Sequence, residues 1–146
     1  MTIPSEQASL TKLAGKKVLQ AATLLGASLR KLPAYDDERN YTPDEREPYD
    51  ALSDRFMRAV EVCLKYFRSY EILQFAEESD TLRDRMNRME KAGLISSVEL
   101  WFRMRDVRNR IVHDYLPGEV KAMYDDIMGP FGAELLAATD KIRRLL

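Results

Sequence analysis

Arg108 occupies a position where a charge needs explaining. On a helical wheel advancing ~100° per residue, Trp101, Met104, Ile111, Val112 and Tyr115 all fall within roughly 60° of it, so its guanidinium lies mid-way across an apolar arc. Glu99, Arg103, Asp106, Arg110 and Asp114 take the opposite, solvated side of the same stretch. A guanidinium keeps its proton, and stranding it away from water is costly, so something anionic should meet it. One answer is an internal carboxylate, with Glu61 as the candidate. The other is a phosphate from outside, held in bidentate fashion. His113, the single histidine, falls ~140° round the wheel and ~7.5 Å further along the axis. It reads either as a last-turn residue favoured by the helix dipole or as a proton-transfer group. A second copy of the helix, antiparallel across a two-fold axis, would bring it beside the other chain's arginine.

The surroundings are basic. From Arg83 to Arg110 there are eight cations (Arg83, Arg85, Arg88, Lys91, Arg103, Arg105, Arg108, Arg110) against four acids (Asp84, Glu90, Glu99, Asp106), a net +4 that suits a polyanion or a solvated face alike. The whole chain offers no such bias, with 23 Lys plus Arg against 24 Asp plus Glu.

Other chemistries are excluded. One cysteine makes no internal disulfide and one histidine no multi-histidine metal site, so the expectation is metal-free chemistry without a cofactor in a reducing cytoplasm. No glycine spacing matches a phosphate-cradling loop. Asp36-Asp37 and Asp125-Asp126 read as solvated pairs, the seven methionines as core, and Cys63 as a buried thiol on an apolar face.

The elements that must position Arg108 follow from periodicity. With 146 residues, 45% hydrophobic, the chain makes one domain, 1–146. A long first helix, about 5–32, carries Leu10, Leu13, Val18, Ala21, Leu24, Leu25, Ser28 and Leu32 at three- and four-residue steps. Its apolar stretch 18–29 is shorter than the ~20 residues of a membrane span and is broken by Gln20 and Thr23. Residues 33–50 hold three prolines, three tyrosines and a net charge of −5 (seven acids, two bases), an acidic loop ordered by its tyrosines. A second helix is expected from about Pro48 to Phe75, then a short one over about 80–92 closed by Gly93. Ser96-Ser97-Val98-Glu99 reads as a capping box opening a fourth helix to about residue 115. A last helix runs from about residue 119 to the end, broken or kinked at Gly129-Pro130. No β-alternating run is present, so the expected fold is all-α, an up-and-down four-helix bundle with an additional short helix.

The stretch Arg108-Asn109-Arg110-Ile111-Val112-His113-Asp114-Tyr115 resembles R-x4-H-x-Y, the signature of the HEPN superfamily. The likeness extends upstream over 51–67 and 91–115, about half the chain, and is strongest to the HepT toxin branch and the related nucleotidyltransferase substrate-binding subunits. It implies a homodimer joined at the motif helices and a metal-independent endoribonuclease toxin cutting RNA by 2′-hydroxyl attack. Arg108 would then hold the scissile phosphate and His113 act as general acid or base. Asn109 and Arg105 would orient backbone oxygens, and Tyr115 would accept AMP from a cognate minimal nucleotidyltransferase antitoxin, switching the cleft off electrostatically. The alternative implied by the same resemblance is a non-catalytic substrate-binding or adaptor subunit of a nucleotidyltransferase.

Overall fold

The computed structural model describes residues 3–111 and 117–146. Within them the chain forms α1 (Ile3–Lys31), α2 (Pro43–Phe75), α3 (Leu82–Lys91), α4 (Val98–Ile111), α5 (Pro117–Asp126) and α6 (Gly132–Arg144), with a π-helical turn at Ile127–Phe131 between the last two. No strand occurs among the described residues, and the architecture is the expected all-α bundle.

Contacts between the helices fix their directions. Gln7 and Thr11 of α1 bond to Ser69 of α2, while Leu24 and Ser28 accept from Arg55 at 3.1 and 2.8 Å, so the two long helices run antiparallel. Gly132 of α6 meets Leu29 and Leu146 meets Gly15, which sets α6 antiparallel to α1. The core between them stacks Phe56 on Phe131 at 5.8 Å and sets Phe67 edge-on to Trp101 at 5.2 Å. Cys63 is buried there, and desolvation pushes its thiol up to about 12, so it packs as a small hydrophobe.

Two expected helix starts move. α2 begins at Pro43, because Thr42 and Glu45 form a reciprocal capping box with Pro43 at the first helical position. Eight of the eighteen residues of the expected 33–50 loop are therefore helix, and Pro48 lies inside it. The remaining loop is ordered by its tyrosines: Tyr35 stacks on Tyr41 at 4.9 Å and on Tyr124 of α5 at 5.0 Å, and Tyr49 donates to the Pro33 carbonyl at 2.7 Å. The second move is at α4, where Ser97, not Ser96, supplies the cap by accepting from Leu100 N. Glu99 pairs with Arg83 instead of reaching back. The first helix also departs from its expected stripe: Val18, Ala21, Leu25 and Ser28 are buried, but Leu10, Leu13 and Leu24 face solvent.

Two glycines act by geometry. Gly93 takes a positive φ of 81°, turning the chain out of α3 with Leu94 N bonded to Met89 O. Gly132 has no room for a side chain: a Cβ there would lie 2.6 Å from the Ile127 carbonyl oxygen and 3.0 Å from Leu29. Gly132→Ala is expected to cost about 1–3 kcal/mol by forcing the π turn off α1. Urea denaturation would read the loss, and an unchanged midpoint would show that the turn yields.

Candidate nucleotide-binding face of the fourth helix

α4 is fixed at its N-terminal end and carries its candidate residues at the other. Glu134 of α6 is only 8% exposed, and its carboxylate accepts from Ser96 N at 2.9 Å, Ser96 Oγ at 2.7 Å and Trp101 Nε1 at 2.8 Å. Glu90 of α3 accepts from Val98 N at 2.8 Å. Trp101 and Met104 then bury the inner face of the helix.

Arg108 is half-buried rather than sunk in the apolar arc. Its Nε and Nη2 donate to the Asn109 side-chain carbonyl at 3.2 and 2.8 Å, a neutral partner. Among the described residues no carboxylate pairs with it, and Glu61, the expected internal partner, pairs with Lys65 at 3.3 Å. The wheel placed Arg108 correctly but overstated its burial. It lies in the last turn of α4, where a long side chain can carry its charge outward. Arg105, half-buried, precedes it by three residues on the adjoining turn. His113 and Tyr115 lie outside the described residues, so the expected arginine–histidine–tyrosine constellation reduces here to Arg105, Arg108 and Asn109.

The basic stretch narrows in the same way. Arg83 pairs with Glu99, Arg85 and Arg88 with Glu71, Arg103 with Asp126 and Arg110 with Glu119. These acids come from α2, α4 and α5, and all but Glu99 lie outside the stretch over which the local charge was counted. Lys91 at the end of α3, Arg105 and Arg108 remain without an ion pair among the described residues, so on α4 the available cationic character is at Arg105 and Arg108.

Sequence reasoning missed a buried ionic cluster between α2 and α3. Glu71, fully buried on α2, accepts from Ser79 N at 2.9 Å, from Ser79 Oγ, from Arg85 Nε at 3.1 Å and from Arg88 Nη1 at 3.4 Å. Burial alone would raise its pKa, but the Ser79 and Arg85 hydrogen bonds outweigh that and hold the carboxyl below 4.5. The cluster clamps α3 to α2. Among the described residues no group of three or more histidine, cysteine or acidic side chains is placed to hold a metal, and no helix is long and apolar enough to cross a membrane.

The sequence pattern of a family described as nucleotidyltransferase substrate binding protein like matches residues 19–144. A search of curated proteins finds no match. The family match overturns the expected endoribonuclease toxin, together with its hydrolase activity and its AMP-controlled cleft. The full R-x4-H-x-Y at Arg108, His113 and Tyr115 favoured the ribonuclease branch over the substrate-binding one, and the family match over residues 19–144 goes the other way. The chain belongs to the nucleotidyltransferase substrate binding protein like family.

Proposed function

We propose that this protein is a non-catalytic substrate-binding or adaptor subunit that works with a nucleotidyltransferase. The observation that carries the reading is the family match over residues 19–144. The end of α4 supports it. Arg108 presents a guanidinium whose bonded partner is a neutral amide, and Arg105 stands one turn away. A phosphate is the complementary ligand, since a planar guanidinium fork matches its oxygens and the charge outcompetes an amide carbonyl. Asn109 releases the guanidinium to the phosphate and contributes its own side-chain amide.

Calorimetric titration of the full chain with nucleoside triphosphates, with inorganic phosphate as the reference ligand, tests the binding role. Saturable nucleotide binding is expected, weakened at least tenfold in Arg108→Ala and less in Arg105→Ala, each mutant contact removing on the order of 1.5–3 kcal/mol of charge-assisted bonding. The chain alone is expected to leave RNA intact. A tagged chain isolated from its native host should bring nucleotidyltransferase activity with it. Isolation without that activity, or nucleotide affinity equal in wild type and Arg108→Ala, would overturn the assignment.

A further inference from the structure

The solvent face of α1 holds a regular pattern that the bundle does not use. Leu10, Leu13, Lys17, Gln20, Leu24, Ala27 and Lys31 follow one another at alternating steps of three and four residues, the spacing of a coiled-coil seam. All seven are exposed, and the three leucines are 58%, 52% and 46% accessible. They are large apolar side chains in water on a helix whose other face is already committed to α2 and α6. Single exposed leucines need no account, but three on one seam do.

Charge says what fits there. α1 carries Lys12, Lys16, Lys17, Arg30 and Lys31 against the single acid Glu6. All five cations are exposed, and none of them takes part in an ion pair among the described residues. On other helices several cations are matched with acids, as at Arg58, Lys65, Arg68 and Lys121. The stripe also begins before the region of family likeness: Leu10, Lys12, Leu13, Lys16 and Lys17 all precede residue 19.

We propose that the outward face of α1 is a docking site for an acidic amphipathic helix of a partner protein. Leucines of that helix would cover Leu10, Leu13 and Leu24, and its flanking carboxylates would meet the lysines over a span of about 32 Å. A second copy of this chain is a poor occupant, because self-pairing sets lysine against lysine along the seam. An anionic membrane is also a poor one. Lys17 sits on the seam between Leu13 and Leu24, so inserting the leucines would drag an ammonium toward the acyl region, whereas a partner carboxylate answers it directly.

The test uses the full chain and a synthetic helical peptide with leucines at three- and four-residue steps flanked by glutamates. A scrambled peptide of the same composition and vesicles of phosphatidylcholine with phosphatidylserine serve as alternatives. Fluorescence anisotropy is expected to show saturable binding of the amphipathic peptide that falls as salt rises. It should weaken at least tenfold in Leu13→Glu and, separately, in the double variant Lys16→Glu/Lys17→Glu. Both changes lie on solvated positions, so thermal unfolding followed by circular dichroism should stay at the wild-type midpoint. Equal binding of the scrambled peptide would overturn the proposal, as would binding to vesicles alone or a self-association abolished by Leu13→Glu without peptide binding. Nucleotide titration of the same variants separates this surface from the α4 face: their affinity for nucleotide is expected to be unchanged.

Discussion

Glu71→Leu is expected to lose about 3–5 kcal/mol of stability, because it removes the acceptor at the centre of a buried charge cluster and leaves the donors behind. Glu71 is fully buried, while the side chains of Arg85 and Arg88 are 13% and 30% exposed. Those arginines keep Glu78 and Glu77 as second partners, so the loss should fall toward the lower end of the range. The Ser79 amide and hydroxyl would lose their bonds outright. Glu71→Gln preserves the shape and one carbonyl, and should cost less.

The charge contribution is separable by pH. Since the folded carboxyl is held below its ordinary 4.5, the unfolded state binds the proton more readily. The stability it supplies is therefore present above about pH 4.5 and fades as pH falls through the folded value. Urea denaturation near neutral pH should show the full gap between wild type and Glu71→Gln. At about pH 3.5 the gap should narrow. A gap of equal size at both would mean that shape, not charge, makes the clamp.

Both this cluster and the Glu134 tie follow a rule that was visible in the sequence but applied to one residue only. Arg108 drew notice as a charge inside an apolar arc. Glu71 stands four residues after Phe67 and eight after Cys63, and Glu134 stands four before Ala138 and eight before Ile142. Each is a charge on a buried stripe, and both prove to be satisfied within the fold, as the desolvation argument demands. Arg108 sits in a last turn with solvent in reach, so the same wheel position carries a smaller penalty. Helix existence and order were legible because apolar periodicity over long segments is a strong signal. The start of α2 was misplaced because prolines and acids were weighed as loop composition, when Thr42, Pro43 and Glu45 together make a start signal. Periodicity also assigned Leu10, Leu13 and Leu24 inward, although nothing in a repeat of leucines says which side the neighbouring helices will take. The choice between ribonuclease and substrate-binding subunit went to the wrong branch because it was read from eight residues of one helix, whereas the family match extends over residues 19–144.

Glu134→Ala is expected to cost about 3 kcal/mol and to loosen the face on which nucleotide binding is proposed. The carboxylate gathers three donors, and hydrogen bonds to a charged group are each worth on the order of 1.5–3 kcal/mol, though not additively. Ser96 recovers part of this by turning to water. Trp101 cannot, because its indole is buried against Phe67, so its Nε1 would be left without an acceptor and its emission should shift to the red as water follows. Glu134→Gln offers an informative contrast. Its carbonyl can take the place of the oxygen that serves Ser96 N and Trp101, while the Ser96 hydroxyl reverses to accept from the amide. That variant should lose only about 1 kcal/mol and keep the native tryptophan spectrum. Because Glu134 touches α4 far from Arg108, any effect on nucleotide passes through helix position. Affinity should fall in Glu134→Ala and recover in Glu134→Gln in step with the spectrum. Affinity that stays at the wild-type level while the tryptophan emission shifts would show that core packing around Met104 holds the end of α4 without help from α6.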